Sequence, residues 1–413
     1  MQKKKLLIVA FVWPEPNSTA AGNRMQQLLH YFLKKGYQIT VASTAAESEL
    51  ALDLRALGIS KATIRLNHSS FDEFIANLAP DVVLFDRFLT EEQFGWRVAE
   101  FAPLALRILD TEDLHSLRYT REKCFKNGIS FSENAWIQEN ITKREIASIY
   151  RSDIALIISS YEMYLLRDVL QIDKSVLMYL PFLIDFISEE EKKALNGFEN
   201  RRDFICIGNG KHRPNIDAIV WLKTEIWPLI RKELPHANLK IYGAYLPEQI
   251  QQMHLEKDGF IVEGWANDAN EVLHLARVNM APLRFGAGLK GKLIAAMENG
   301  TPSVTTPIGA EGTHGNLAFN GRIAKTAASI AEAAVELYTN QNDWLQAQAD
   351  GFKIINSLYA KTVWMEKLDA KIASVQIDLE RHRKNNFVGA MLRHQTLSST
   401  KYMAKWIEAK NDK

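Results

Sequence analysis

Short apolar runs recur along the chain, each followed by a turn-rich stretch and then by a segment whose apolar residues return at helical spacing. The first run, Leu6 to Phe11, meets the loop WPEPNSTAAGNR. A helix is predicted from about Asn23 to Lys35, with Gly36 as its stop. Strands are predicted over 38–42, 62–66, 81–85, 104–109 and 154–158, with helices over 71–78, from about 90, and over the polar stretch 134–150. The runs do not alternate apolar with polar, which fits parallel strands buried on both faces. Leu180-Pro181-Phe182 closes this set, and the charged run SEEEKKALNGFENRR at 188–202 reads as an exposed linker. A second set follows: strand 204–207, helix 216–223, a helix through Leu293, Ile294 and Met297 that ends at Asn299-Gly300, and strand 303–306. After Gly351 the chain turns helical and polar. The pattern predicts an α/β protein with an N-terminal domain over 1–187, a linker over 188–202, a C-terminal domain over 203–352 and terminal helices over 353–413.

Length and composition narrow this picture. With 413 residues, two domains can each bury a core of their own. The 47% apolar and 24% charged content is that of a soluble globular protein. A net charge of +1 argues against a dedicated nucleic-acid binder. The two cysteines, Cys124 and Cys206, fall in separate candidate domains and cannot build a disulfide framework, so a reducing, cytoplasmic setting is expected. Lys3-Lys4-Lys5 before Leu6 to Trp13 imitates a signal peptide. The run is short, however, and meets Pro14-Glu15-Pro16 without a small-residue cleavage site, so a buried first strand is expected. No apolar run approaches the roughly 18 residues of a membrane span.

Candidate chemistry concentrates in APLRFGAGLKGKLIAAMENGTPSVTTPIGAEG, residues 281–312. Gly286 and Gly288 allow a backbone to approach a ligand closely. The helix that follows points free N–H groups and a partial positive charge at it. Arg284, Lys290 and Lys292 add full charge. These features describe a seat for a diphosphate, or an ordinary βα turn with a lysine-lined surface.

Three segments resemble, in order, the donor-binding domain of GT-B glycosyltransferases, and more narrowly of glycosyltransferase family 4: IGNGKHRPNIDAIVWL at 207–222, LKIYGAYLPEQI…VEGW at 239–265, and the block at 281–312. The resemblance implies two Rossmann-like doubly wound domains facing across a cleft, with the last helices crossing back to the N-terminal domain. It implies a retaining transferase that uses no metal and no resident cofactor. A nucleotide-diphosphate sugar is its donor substrate, and the leaving phosphate itself takes the acceptor's proton. The residues placed around the donor are Gly22, Arg24, Gly208, Lys211, Arg213, Gly264, Trp265, Gly286, Gly288, Leu289, Lys292 and Glu311, with Arg284 and Lys290 stabilising the departing diphosphate. One departure stands out. The family usually carries two glutamates eight positions apart, and here those positions are Ala287 and Ala295. Glu298, one helical turn further, either substitutes or is a solvated surface residue.

On the N-terminal side, RILDTEDLHSLRYTR also resembles a family 4 signature, and His115 is chosen as the group that reaches the sugar ring. The other reading is a capped helix, with Asp110 or Thr111 as N-cap. Asp86 and Arg87, just past a strand end, and Asp110 and Asp113 are the acceptor-side candidates. An Asp86–Arg87 ion pair is the plainer alternative. Ser159 with Glu162 reads as a capping box. The basic, aromatic tail, with Arg381, Arg383, Lys384, Arg393, Lys401, Lys405, Lys410, Lys413, Phe387, Tyr402 and Trp406 and only Glu408 and Asp412 as acids, either touches an anionic membrane surface or packs on its own domain. The expected activity is sugar transfer to a glycan, lipid or protein acceptor. The loss of both glutamates leaves open a non-catalytic GT-B protein that binds a nucleotide sugar, a glycan or a partner.

Overall fold

The structure, a computed structural model, describes residues 3–411, the side chains of 395–397 excepted; Asp412 and Lys413 lie outside the described residues. Seven strands form an N-terminal sheet: β1 (Lys5–Ala10), β2 (Gln38–Ser43), β3 (Ser60–Thr63), β4 (Val82–Asp86), β5 (Leu106–Asp110), β6 (Ile154–Ile157) and β7 (Leu177–Tyr179). Six form a C-terminal sheet: β8 (Arg202–Ile207), β9 (Leu239–Tyr242), β10 (Phe260–Gly264), β11 (Ala276–Ala281), β12 (Ser303–Thr305) and β13 (Gly321–Ile323). Every pairing is parallel, in the orders β3-β2-β1-β4-β5-β6-β7 and β10-β9-β8-β11-β12-β13.

The hydrophobic pattern has a direct cause. In β1, Leu6 and Ile8 join the core on one face of the sheet, and Leu7 and Val9 join the core on the other. Both faces of the strand are covered by helices, so no position is free to be polar. In each sheet the direction of winding reverses beside the first strand, between β1 and β4 and between β8 and β11. A crevice opens at the carboxyl ends of the strands at such a point. These two crevices face each other.

Several elements differ from the sequence expectation, each for a local reason. The helix expected from about residue 90 starts at Arg87, directly after β4. The long polar helix is broken at Glu139, whose extended backbone separates Glu133–Gln138 from Asn140–Arg151. The charged linker is not a plain exposed loop. Ser188 and Glu191 form a capping box that starts the helix Glu189–Ala194. Arg201 is fully buried, its guanidinium donating to Thr301 Oγ1 at 2.8 Å and Asn299 O at 2.6 Å. The crossing back also comes later than residue 353. Helix Gln341–Leu358 packs on helix Gly291–Glu298, and only after Ala360, which bridges Ile184, does the chain change sides. Met365, Leu368, Ile372 and Val375 of helix Lys361–Ile377 then complete the N-terminal core. The last helix, Phe387–Asn411, lies on helices Arg87–Phe101 and Asn140–Arg151, where Arg97 pairs with Glu408 and Lys401 lies 2.7 Å from Glu100.

Candidate functional site

A cavity of about 640 Å³ lies between the carboxyl ends of the two sheets, walled by the loops after β1, β4 and β5 on one side and after β8, β9 and β11 on the other. On the C-terminal wall the loop after β11 leads into helix Gly291–Glu298, whose N-cap is Lys290. Gly288 sits at φ +64°, and a Cβ there would lie 2.7 Å from Asp113 Cβ of the opposite domain. A Cβ at Gly291 would approach the opposite domain as closely, at 2.7 Å from Ala20 Cβ. Lys290 is buried with its Nζ donating to Gly288 O at 2.8 Å. Burial lowers its pKa to about 8, against the pull of Glu311. Lys292 Nζ donates to Asn215 Oδ1 at 2.7 Å, and burial lowers its pKa as well. Lys211 lies 3.4 Å over the Tyr245 ring. Gly208, Gly286, Leu289 and the exposed Trp265 complete this wall, together with His212, which burial pushes down to about 4.

The N-terminal wall carries Gly22, Asp86, Arg87, Glu112, Asp113, His115 and Arg118. Gly22 belongs to the helix entry, since a Cβ would meet the Glu15 backbone at 2.3 Å. Asp86 accepts from the Phe11 amide at 2.9 Å and pairs loosely with Arg87, 3.5 Å away. Asp113 pairs with Arg118 and lies 3.3 Å from His115 Nε2. Burial pushes His115 down to about 3, so its imidazole is neutral. The helix His115–Lys126 is not capped by Asp110 or Thr111. Glu145 accepts from the His115 and Ser116 amides, both at 2.9 Å, and burial raises that carboxyl to about 7.

Seven candidates do not line this cavity, because their polar groups are committed elsewhere or their place is structural. Arg284 closes on Asp217 through two bonds of 2.8 and 2.6 Å and lies against the Phe125 and Trp221 rings. Arg213 pairs with Glu122 at 2.9 Å. Glu311 holds Arg121 with two bonds of 2.8 Å. Arg24 and Asp110 pair with each other at 2.7 Å, both buried, and Arg24 also donates to Leu180 O. Gly288 gives its amide to Glu162. Gly264 turns the chain at φ +80° and accepts from Gly243 N at 2.7 Å.

The Ser159–Glu162 capping box is likewise corrected. Ser159 Oγ has no partner, while Glu162 reaches the amides of Leu114, at 2.9 Å, and Gly288, at 2.8 Å. The helix expected from residue 216 starts earlier, at Arg213 with His212 as its N-cap, so Asn215 lies in its first turn. Glu298 is half-buried on the cavity wall with its carboxyl raised to about 7 by burial, and Ala287 and Ala295 face the same space. Among cavity residues, Glu112, Arg118 and Tyr245 had no role assigned from sequence. Glu112 and Arg118 sat inside a recognised motif, whereas nothing in the sequence marks Tyr245. Among the described residues, no group of three His, Cys, Asp or Glu side chains could hold a metal ion.

The family model for "Glycosyl transferases group 1" matches residues 201–340. A sequence relative, an uncharacterized 44.6 kDa protein in the cps region of Klebsiella pneumoniae, is 25% identical over 172 residues, 38% of this chain and 44% of that one. The alignment therefore spans less than half of that relative. Among solved structures, sucrose-phosphate synthase from Thermosynechococcus elongatus superposes with a TM-score of 0.64 at 14% identity, covering 90% of this chain and 99% of the other. HepE from Anabaena, solved in complex with UDP and glucose, gives a TM-score of 0.64 at 11% identity, covering 90% of this chain and all (100%) of the other.

Proposed function

We propose, from the match of residues 201–340 to the group 1 glycosyltransferase model and from the likeness of the fold to solved glycosyltransferases, that this chain is a retaining, metal-independent glycosyltransferase of the family 4 type. It moves a sugar from a nucleotide-diphosphate sugar to a hydroxyl acceptor. The observation that carries the reading is the C-terminal wall, where Lys290, Lys292 and Lys211 face the cavity with a carbonyl, a side-chain amide and an aromatic ring as direct partners. A diphosphate on that wall meets three lysines held in no close ion pair and the N-terminus of helix Gly291–Glu298. The bond from the sugar's anomeric carbon to the diphosphate breaks while the acceptor oxygen bonds to that carbon from the same face. The acceptor's proton passes to the departing phosphate oxygen. Lys290 stabilises the negative charge that grows there, and preorganised charge of this kind is the main device such a step needs. His115, neutral, meets the sugar ring from the opposite wall.

HepE is solved with UDP and glucose, so uridine diphosphate and its hexose conjugates are the first donors to test. A thermal-shift screen of nucleoside diphosphates and their sugar conjugates, without added metal, should raise the melting temperature for one nucleotide, because a ligand of the native state must stabilise it. Release of that diphosphate from its sugar conjugate should then be lost in Lys290→Met. A shift without turnover in the wild type would leave a nucleotide-sugar binding protein, the reading that Ala287 and Ala295 favour. No shift at all would remove the donor site.

The protein would work against the inner face of a membrane. No described helix is long and apolar enough to cross one. The last helix, however, turns Phe387, Met391, Tyr402, Met403 and Trp406 to solvent beside Lys405 and Lys410. Sedimentation with vesicles of anionic but not zwitterionic lipid is expected; equal recovery with both would discard this placement.

A further inference from the structure

Asp113 Oδ1, 3.3 Å from His115 Nε2, is one of three carboxylate oxygens buried in the N-terminal wall with no hydrogen-bond partner; the other two are Asp86 Oδ1, 3.5 Å from Arg87 Nε, and Glu112 Oε1. Asp86 and Glu112 line the cavity, and Asp86 is only 4% exposed. A buried oxygen left without a hydrogen bond is costly, so it marks a place for a donor. The backbone is also bent around them: Arg87 stands at φ +72° and Glu112 at φ +62°, in the left-handed region that non-glycine residues avoid. Asp86 ends β4 opposite Asp110 of β5, and Glu112 follows two residues later. The ends of two neighbouring strands thus deliver two acids to one place, Asp86 beside a strained residue and Glu112 strained itself.

The surrounding charge decides what such a pair can bind. Arg24 is committed to Asp110 and Arg118 to Asp113. That leaves Arg87 as the cation nearest to both Asp86 and Glu112. Burial, followed by Asp110 and Asp86, holds the Glu112 carboxyl well above the ordinary range, and burial raises Asp86 too. His115 is neutral, and from the opposite wall His212 and Lys290 act on Asp113. Two acids and one arginine leave no spare positive charge to hold a phosphate. They do set acceptor oxygens beside a guanidinium donor, which is the complement of hydroxyls that both give and take hydrogen bonds.

We propose that Asp86 and Glu112 form a subsite for the hydroxyls of a neutral saccharide, which makes the acceptor a glycan end. The proposal rests on the glycosyltransferase reading for its use, and not for its geometry. Saturation-transfer NMR on the full chain with saturating uridine diphosphate tests it, with methyl α-D-glucopyranoside and glucose 6-phosphate as probes. The neutral glycoside should receive saturation and the phosphate ester little, and Glu112→Leu and Asp86→Asn should each reduce the glycoside signal by about fivefold or more, as expected where a site is built to pair hydroxyls. Glu112→Gln, whose side-chain carbonyl still accepts, should retain it. The uridine diphosphate signal in the same spectra should not change in any variant. An unchanged glycoside signal in Glu112→Leu, or stronger transfer to glucose 6-phosphate, overturns the subsite. Absence of a uridine diphosphate signal in the wild type overturns the donor site alone, since the glycoside response to Glu112→Leu is read separately.

Discussion

On the C-terminal wall of the cavity Lys290, Lys292 and Lys211 touch a carbonyl, an amide and an aromatic ring, whereas on the N-terminal side Arg24, Arg118 and Arg121 each close on a carboxylate. A buried ion pair with its hydrogen bonds made fixes orientation but leaves little field for a ligand. An uncommitted buried lysine does the reverse. It destabilises the empty protein, which is why burial lowers the pKa of both Lys290 and Lys292, and it attracts the first anion that fits. One wall is thus charged for a diphosphate, while the other is internally neutralised and offers hydroxyl partners. The two arginines of the C-terminal domain expected to face the donor, Arg284 and Arg213, follow the rule of the paired side.

The largest effect that would break this contrast is catalytic. Lys290→Met should lower the release of nucleoside diphosphate by about 10²–10³-fold, the usual loss when one preorganised charge partner is removed. Its melting temperature should stay the same or rise, because a buried, unpaired ammonium has gone. A modest kinetic change with a lower melting temperature would assign Lys290 to the framework instead.

Next comes a strut. Arg121 is buried, holds Glu311 and Gly286 O across the domain boundary, and rests on Phe131 and Tyr161. Arg121→Ala should cost about 3 kcal/mol in urea unfolding, since it strands a partly buried Glu311. Arg284→Ala is expected to be milder, at about 1–2 kcal/mol, because its pair with Asp217 is partly solvated. Turnover should survive in Arg284→Ala within about threefold, as the guanidinium does not face the cavity. Abolished turnover in a folded Arg284→Ala would restore it to the diphosphate site.

The frame was legible because its signals are local. Apolar runs, helix stops and the 281–312 block reveal two wound sheets and a candidate donor loop, and Lys290, Lys292, Lys211, His115 and Asp86 do line one cavity. What sequence could not show is which charges are already paired. Asp217 lies 67 positions from Arg284, Asp110 lies 86 from Arg24, and Glu311 lies 190 from Arg121. No periodicity encodes such distances. Glu162 misled for the opposite reason. Its local capping pattern is real, yet a buried amide of the other domain competes for the carboxylate and wins.

The smallest expected effect is a pH dependence that separates the two walls without altering either. In the ligand-free protein Lys290 loses its proton at about 8 instead of 10.5. Below that pH it is charged and ready for a diphosphate; above it, binding must first take up a proton. Affinity for the nucleoside diphosphate, measured by calorimetry, should therefore be flat from pH 6.5 to 7.5 and fall by up to about tenfold per pH unit above 8. The lowered pKa carries the opposite sign for stability. Between about 8 and 10.5 the folded chain binds fewer protons than the unfolded one, so the stability lost to burying this ammonium is regained as pH rises through that window. Lys290→Met should flatten both curves. If it leaves the affinity curve unchanged, the titrating group belongs to Lys292 or to the paired wall, and the division of labour between the walls has been drawn in the wrong place.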